Sequence, residues 1–251
     1  MSDLILEVKG LDKSFGRHRV FQGLSFGVKK GEFVALLGPS GCGKTTLLKI
    51  LAGLIPKTRG QIDYYFLETD TPYIPLAFQK SPLFPWLNLR ENITICMNRR
   101  VMDQPKKEAL ALSYLDKAGL SKFSNFYPRQ ISGGMAQKVN IIRCFSNNAE
   151  LILMDEPFVF LDVLQRQELQ QFTLDIWQES KRTIFFVTHD INEAILLSDR
   201  IIIMGGKPGE IVREFSLPFP RPRNSLLIPS CLEFKDIFEA LHSLYYQIPN
   251  R

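Results

Sequence analysis

Short runs in which nearly every residue is apolar recur along the chain, and amphipathic stretches lie between them. A strand that is apolar throughout is typical of one buried on both faces of a sheet, whereas apolar residues three and four positions apart are typical of a helix. Strands that alternate with helices predict an α/β fold with a mainly parallel sheet. The predicted strands are 33–37, 74–78, 151–154, 183–187 and 201–204, and the clearest helices are 44–52 and 164–177.

Two regions depart from this alternation. Residues 87–145 carry helix signals and almost no strand, because Asn88 and Glu91 fit a capping box and Gly119 ends a helix predicted over 105–117. The prolines of 217–229 cannot continue a helix, but the apolar stripe that follows them predicts one docked terminal helix. The stripe consists of Phe234, Ile237, Phe238, Leu241 and Leu244.

The length allows one large domain or two small ones, since the chain has 251 residues. We predict an α/β core from residues 1–86 and 147–217, an inserted helical subdomain from 87–146, and a C-terminal extension from 218–251 with one helix. With 45% hydrophobic and 23% charged residues, wholesale disorder, collagen-like repeats and coiled coil are excluded. The net charge of +5 favours scattered solvated charge over any particular partner.

The cysteines and the apolar runs also limit the class of protein. Cys42, Cys96, Cys144 and Cys231 are widely spaced and form no C-x-x-C pair, so a reducing compartment fits better than a disulfide framework or a zinc site. The first ten residues lack the pattern of a signal peptide, and no apolar run approaches the ~20 residues that span a bilayer. We therefore expect that this chain does not cross a membrane by itself.

A phosphate-binding loop is the most specific motif of the sequence. Residues 38–45 read Gly-Pro-Ser-Gly-Cys-Gly-Lys-Thr, which fits G-x-x-x-x-G-K-[ST] between a predicted strand and a predicted helix. Glycines let successive N–H groups face one phosphate chain, Lys44 adds charge, and the Thr45 hydroxyl is placed to ligate Mg²⁺. A plain Gly-rich turn is the alternative, and the strand and helix context favours phosphate. The candidate nucleotide-binding residues are Gly38, Pro39, Ser40, Gly41, Cys42, Gly43, Lys44, Thr45 and Thr46.

Cys42 leaves two interpretations open. A thiol at a helix N-terminus can have a lowered pKa and act as a redox switch. A small inert residue is the other interpretation, and it is favoured.

Two adjacent carboxylates follow the predicted strand 151–154. Asp155 and Glu156 stand at its C-terminal end, which is the edge where open α/β sheets bind ligands. Because successive strand residues point to opposite faces, we expect different roles for them. Asp155 would hold the metal, and Glu156 would act on water as general base or positioning group. Taken alone, such a pair is more often a turn.

A second loop also fits an anion. Ser132, Gly133 and Gly134 open a predicted helix, and a helix N-terminus with small residues suits a negatively charged group. A serine cap preceded by a loop is the alternative. A second anion site beside one nucleotide loop suggests that it serves the nucleotide of another subunit.

Over about its first 217 residues the chain resembles the ATP-binding subunits of ABC transporters. The resemblance implies a P-loop NTPase (RecA-like) core with a mainly parallel sheet, an antiparallel β edge and the inserted helical subdomain. It also implies that Ser132, Gly133 and Gly134 close over ATP held by the other subunit of a head-to-tail dimer. By the same resemblance, Phe15 stacks on adenine, Gln79 senses metal and water, Asp162 lies in a dimer-contact loop and His189 contacts the γ-phosphate.

Several of these residues have simpler interpretations. A single Phe is usually core and a single Gln usually surface. His189 is a stronger candidate, because it ends an apolar run and precedes Asp190 and Glu193, a helix cap and a partner. The expected catalytic residues are Glu156, His189, Lys44 and Gln79, the expected metal ligands are Thr45, Gln79 and Asp155, and the expected cofactors are ATP and Mg²⁺.

The branch of the family is indicated by Met135, which stands where most members have Gln. Importers of nitrate, sulfonates, taurine and pyrimidine precursors commonly have Met there, and the stretch LPFPRPR also looks like that group. The resemblance implies as partners a second ATP-binding subunit, permease subunits and a solute-binding protein, at the cytoplasmic face of the inner or plasma membrane. We expect the permease to dock in a groove beside Gln79 and the helical insertion, near Pro85, Trp86 and Leu87.

The other functions considered are weaker. A soluble ABC-type ATPase acting on nucleic acid or ribosomes usually carries a coiled-coil insertion or two tandem ATP domains. Neither fits in 251 residues, so we expect no nucleic-acid partner. An exporter or lipid-transport ATPase subunit stays open as an alternative. Intact Asp155, Glu156 and His189 speak against a non-catalytic regulator, and a P-loop kinase or GTPase would not need the Ser-Gly-Gly loop.

Overall fold

The computed structural model describes residues 3–66, 74–80, 82–97, 102–223 and 232–247. Strands and helices alternate along most of this chain. The strands are β1 (Leu4–Phe15), β2 (His18–Lys29), β3 (Phe33–Leu37), β4 (Arg59–Tyr64), β5 (Leu76–Ala77), β6 (Leu151–Asp155), β7 (Thr183–Thr188), β8 (Arg200–Gly205) and β9 (Glu210–Ser216). The helices are α1 (Lys44–Leu51), α2 (Leu89–Thr94), α3 (Gln104–Lys117), α4 (Gly133–Ser146), α5 (Val163–Ser180), α6 (Ile191–Leu197) and α7 (Leu232–Gln247).

The central sheet has six strands in the order β5-β6-β7-β3-β8-β9. Its first five strands run parallel, and β9 pairs antiparallel with β8 at the edge. Every residue of β3, β6 and β7 is buried, which explains why these strands are almost wholly apolar. The predicted mainly parallel sheet with an antiparallel edge is confirmed, although β5 is shorter than the predicted 74–78.

A second sheet packs beside the first. It has three antiparallel strands in the order β2-β1-β4. Side chains of the central sheet alternate between two apolar clusters, as the pleat requires. In β3, Val34 and Leu36 join the cluster shared with β1, β2 and α1, whereas Phe33, Ala35 and Leu37 join the cluster shared with the remaining helices.

Helices α2, α3 and α4 occupy the region predicted to be helical. Asn88 and Glu91 form the predicted capping box at the start of α2. Gly119 follows the end of α3 with a φ of 71°, as a helix C-terminus often requires of glycine. None of the helices in the described residues is long and apolar enough to cross a bilayer.

The C-terminal extension is fixed to the core by arginines and by α7. Phe234 and Leu241 of α7 are buried, which confirms the predicted docked helix. Arg223, from the LPFPRPR stretch, is buried and donates to the carbonyl oxygens of Ile195 (3.1 Å) and Leu196 (3.3 Å), near the end of α6. These carbonyls lack partners within the helix, so the arginine satisfies them.

Candidate functional site

The predicted phosphate loop joins β3 to α1. Gly43 is the N-cap of α1 with a φ of 105°, a conformation that glycine adopts without strain. A Cβ on Gly38 would lie 2.1 Å from the carbonyl oxygen of Met204, so only glycine fits there. Lys44 is buried, and its Nζ donates to the carbonyl oxygens of Gly38 (2.6 Å) and Pro39 (2.9 Å). The loop therefore curls around the ammonium group.

A cleft of about 530 Å³ opens beside this loop. Phe15 stands at its edge with 53% of its surface exposed, so the simpler interpretation of Phe15 as core is wrong. The Lys13 ammonium lies 4.4 Å from the centre of its ring. The cleft is lined by Phe15, His18, Val20, Ser40, Gly41, Gly43, Lys44, Thr45, Thr46, Gln79 and Glu156.

His18 and Val20 line the cleft although sequence reasoning did not select them. Strands β1 and β2 form a hairpin whose turn consists of Gly16 and Arg17. His18 and Val20 lie at the start of β2, just after this turn. The signal available was the short turn after Phe15, which folds the next few residues back toward the same cleft. A predicted hairpin with its turn at Gly16 and Arg17 would have placed His18 and Val20 at the start of the returning strand.

The side chains of Asp155 and Thr45 are hydrogen-bonded at the end of the phosphate loop. Asp155 is the last residue of β6, and it accepts a hydrogen bond of 3.0 Å from the Thr45 hydroxyl. Burial raises the pKa of the Asp155 carboxyl, while the Thr45 hydrogen bond and the charges of Lys49 and Lys44 act in the opposite direction. A positive ion beside this carboxylate would favour its charged form.

The sequence predicted that strand alternation would separate the Asp155 and Glu156 side chains, but Glu156 lies just beyond the strand. β6 ends at Asp155, and Glu156 adopts a left-handed conformation with a φ of 46°. Its N–H still donates to the carbonyl oxygen of Val187, at 3.0 Å. The backbone turn, and not strand alternation, therefore sends the two carboxylates in different directions.

The Glu156 carboxylate contacts two of the other predicted catalytic residues. Gln79 Nε2 donates to Glu156 Oε2 at 3.3 Å, and His189 Nδ1 lies 3.2 Å from the same oxygen. Asp190 caps α6, as predicted, by accepting from the N–H groups of Asn192 and Glu193. A glutamate, a histidine and an amide that converge beside a phosphate loop can orient a water molecule for attack.

Glu193 is not the partner of His189 that the sequence suggested. It is buried, accepts a hydrogen bond of 2.7 Å from the Thr188 hydroxyl, and receives another of 3.2 Å from Gln170 Nε2. The helix turns its side chain toward the interior, so that Glu156 takes the place beside the imidazole.

Ser132, Gly133, Gly134 and Asp162 do not belong to the lining of the cleft. Met135 N–H donates to Ser132 Oγ at 3.2 Å, so Ser132 caps α4, and Asp162 caps α5 by accepting from Gln165 N–H. A Cβ on Gly134 would lie 2.9 Å from Gln165 Oε1, so the two helix starts are adjacent. The structure thus brings these candidates together with one another, outside the lining of the cleft.

Three exposed apolar side chains surround Asp162. They belong to Phe160, Val163 and Leu164. Exposed apolar residues grouped around a loop are typical of an interaction surface.

The donor set beside the phosphate loop fits a magnesium ion. The Thr45 hydroxyl and the Asp155 carboxylate lie within hydrogen-bond distance of each other, and Gln79 reaches the same cleft. Mg²⁺ prefers oxygen ligands and often combines one carboxylate with phosphate oxygens and water. The residues present therefore fit the ion.

Cys42 is buried within the phosphate loop. Burial raises the pKa of its thiol, although the nearby charge of Lys44 acts in the opposite direction. The lowered pKa considered from the sequence is therefore wrong, and the inert interpretation is favoured. Cys231 lies outside the described residues.

Comparison with known proteins places this geometry in a family. The model of the ABC transporter family matches residues 21–159. An aliphatic sulfonates import ATP-binding protein of Bacillus cereus is 42% identical over 224 residues, covering 86% of this chain and 87% of the relative. The taurine import ATP-binding protein of Pelagibacter ubique is 42% identical over 198 residues, covering 78% of this chain and 75% of the relative.

A solved structure agrees with these sequence relatives. It is an ATP-binding cassette in a dimeric, post-hydrolysis state with ADP and Pi. It is 32% identical with a TM-score of 0.72, and the match covers 86% of this chain and 100% of that chain. The predicted P-loop NTPase fold with an inserted helical subdomain is thereby confirmed. The chain belongs to the ABC transporter family, as a subunit that binds and hydrolyses ATP to power transport.

Proposed function

We propose that this chain energises the import of a small anionic or polar solute, such as a sulfonate or taurine. The names of its relatives, at 42% identity over most of the chain, support this class of substrate over nucleic-acid or ribosome work. Nitrate and pyrimidine precursors belong to the same proposal, because Met135 and LPFPRPR resemble the importers of those solutes too. We propose a peripheral position at the cytoplasmic face of the inner or plasma membrane.

The contact of Gln79 and His189 with one oxygen of Glu156 is the observation that carries the mechanism. In our proposal Glu156 accepts a proton from the attacking water, while Gln79 and His189 hold that water in line with the terminal phosphate. Lys44 releases its loop carbonyls and pairs with the phosphates. Phe15 stacks on the base, and the N–H groups of residues 40–46 cradle the phosphate chain.

Magnesium belongs to this proposal as a cofactor. Thr45, Asp155 and Gln79 would hold it, and when bound it neutralises charge that develops on the phosphate oxygens.

The remaining half of each site comes from a second ATP-binding subunit, either another copy or a homologue. Ser132, Gly133 and Gly134 have no role at their own cleft, whereas they suit an anion presented by a partner. Asp162 and its apolar neighbours would then lie in the interface. Two subunits would close while both γ-phosphates are present and reopen after hydrolysis.

A groove of about 290 Å³ supports the proposed docking of a permease subunit. It lies between α1, β5 and α4, with Phe78, Asn140 and Arg143 among its lining residues. Pro85, Trp86 and Leu87 are not in that lining. Instead, Pro82 lines the groove, and the exposed Trp86 ring lies 5.5 Å from that of Phe84. A solute-binding protein would deliver the substrate to the permease.

The test uses Glu156→Gln and Lys44→Ala. Glu156→Gln should abolish turnover while retaining ATP, so that gel filtration with Mg-ATP shows a dimer. Lys44→Ala should lose nucleotide affinity and stay monomeric. A monomeric Glu156→Gln variant in saturating Mg-ATP, or unchanged ATP affinity in Lys44→Ala, would contradict the assignment. Stimulation of ATP turnover by sulfonates or taurine, measured with the co-purified membrane subunits, tests the substrate class.

A further inference from the structure

Two amide side chains of α4 are buried and reach out of the helix to loops that flank the site. Gln137 is 4% exposed and Asn140 is 2% exposed. Gln137 Nε2 donates to the carbonyl oxygens of Pro157 (2.8 Å) and Phe78 (3.3 Å). Asn140 Nδ2 donates to the same Phe78 oxygen at 3.2 Å, and it lies 3.5 Å from Gln137 Oε1. One network therefore links α4 to two separate loops.

The two carbonyls belong to the neighbours of the proposed catalytic residues. Phe78 comes immediately before Gln79, and Pro157 comes immediately after Glu156. Because Gln79 and Glu156 meet at a distance of 3.3 Å, a shift of either backbone segment would separate them. The Gln137 amide spans both segments and so fixes their separation.

The types of the two residues indicate that this hydrogen-bond network has a function. Asn is an unfavourable residue in a helix interior, and a buried amide is costly unless it is hydrogen-bonded. Between Val139 and Phe145 every residue is apolar except Asn140 and Arg143. Buried hydrogen-bond networks in a low-dielectric interior hold their members rigidly when all of them are paired.

We propose that Gln137 and Asn140 are positioning residues for ATP hydrolysis, which fix the loops carrying Gln79 and Glu156 to the helix that begins at the Ser132 loop. The proposal rests on the roles assigned to Gln79 and Glu156 above. It gives α4 a second role, because the same rigid helix presents Ser132 to the partner's nucleotide and holds the water-orienting residues of its own cleft.

The groove proposed for the permease shares this network. Phe78 and Asn140 both line it, and so does Arg143, which donates to the Pro82 carbonyl oxygen at 2.8 Å. A segment seated in the groove would therefore touch the amide that holds the Phe78 carbonyl. Occupancy of the groove would reach Gln79 through the Phe78 carbonyl oxygen, which accepts from both Gln137 and Asn140.

The test compares Gln137→Met and Asn140→Ala with the unmodified full-length chain. Gln137→Met preserves volume but removes both donor contacts, and we expect kcat to fall tenfold to about a hundredfold, as small misplacements of catalytic groups do. Asn140→Ala leaves the Gln137 contact in place, so we expect a smaller fall, of about threefold to tenfold. The ATP concentration at half-saturation and the binding of a fluorescent ATP analogue should change less than about twofold, because neither residue lines the cleft.

Tyr114→Phe is the matched control. Tyr114 of α3 donates to the Phe145 carbonyl oxygen at the other end of α4, at 3.1 Å, so its loss removes one side-chain bond to the same helix. If Gln137 and Asn140 had a purely structural role, their variants would behave like the Tyr114→Phe control. The melting temperature would fall, and kcat per folded molecule would stay unchanged. Alanine is the best helix former, so Asn140→Ala keeps the test decisive should Gln137→Met fail to fold.

The outcomes separate this proposal from the one on which it rests. A normal kcat in folded Gln137→Met or Asn140→Ala, alongside inactive Glu156→Gln, overturns the positioning role alone. A normal kcat in Gln79→Ala and Glu156→Gln overturns the site assignment and this inference with it. A selective loss of kcat in both amide variants, with Tyr114→Phe unaffected, supports it.

Discussion

Glu193 makes the stability of the protein depend on pH near neutrality. It is 4% exposed and lies one turn beyond His189, where it accepts from Thr188 and Gln170. Burial raises the pKa of its carboxyl from 4.5 to about 7, and the Asp190 charge acts in the same direction. The Thr188 hydrogen bond, the charge of Arg166 and the Gln170 hydrogen bond lower it, but by less. Near neutral pH Glu193 is therefore present in both its charged and its uncharged forms.

The size of the effect follows from proton linkage. Because the folded pKa lies above the unfolded one, the folded state binds more protons, and its stability falls as pH rises from 4.5 through about 7. A pKa that rises from 4.5 to about 7 corresponds to a limiting loss of stability of about 3 kcal/mol at high pH. Most of that loss, about 2 to 3 kcal/mol, should fall between pH 5 and pH 8.

Glu193→Gln removes the charge while keeping an acceptor for the Thr188 hydroxyl. Urea unfolding of both proteins at pH 5, 6, 7 and 8 isolates the contribution of this group, because all other titrating groups are shared. Relative to the parent, the variant should gain about 2 to 3 kcal/mol in its free energy of unfolding between pH 5 and pH 8, with most of the change complete by pH 7. Stability curves that stay parallel within ~0.5 kcal/mol would refute the reasoning, since Glu193 would then titrate alike in both states.

Two further predictions concern the extension and the exposed loop. Arg223→Met should lower the free energy of unfolding, measured in urea, by about 3 kcal/mol. The reason is that the carbonyl oxygens of Ile195 and Leu196 stay buried without their donor. A loss below ~1 kcal/mol would contradict this prediction. Leu164→Glu should prevent the ATP-dependent dimer of the Glu156→Gln background without changing ATP binding by the monomer, as measured by gel filtration and by titration with a fluorescent ATP analogue. A dimer of unchanged stability would show that Leu164 lies outside the interface.

The central sheet could be predicted because its strands are buried on both faces, which leaves an apolar run in the sequence. The predicted 151–154 and 183–187 each fall one residue short of β6 and β7. The prediction for 74–78 was too long because Pro75 has no N–H to donate. Pro75 still accepts from Leu153 N–H at 2.9 Å, so the segment lies beside β6 without a full ladder.

The smaller sheet left a weaker signal. Strand β1 changes register with β2 between Val8 and Leu11, where a bulge interrupts the alternation of apolar and polar positions. A period of two that shifts within one strand cannot be counted from the sequence. The periodicity of the sequence therefore did not predict the smaller antiparallel sheet.

Contacts between distant segments account for what sequence reasoning missed in the site. The hydrogen bonds from Gln137 and Asn140 to Phe78 span 59 and 62 residues, and no local pattern records them. The left-handed conformation of Glu156, at the end of β6, also left no local signal, because non-glycine residues rarely adopt a positive φ. The connection from β3 to α1 could be predicted because its lysine, glycines and hydroxyl lie close together in the sequence, within residues 38–45.

The exposed loop around Asp162 explains why closure of two subunits should depend on nucleotide. Burying Phe160, Val163 and Leu164 would remove roughly 200–350 Å² of apolar surface per subunit, at about 25 cal/mol per Å². Stable interfaces bury about 800 Å² on each partner, so this apolar contact is too small to hold a dimer by itself. In our proposal the additional contacts come from a ligand held between Lys44 of one subunit and Ser132 of the other. Loss of the terminal phosphate would then remove those contacts and leave an apolar loop that is too small to keep the subunits together.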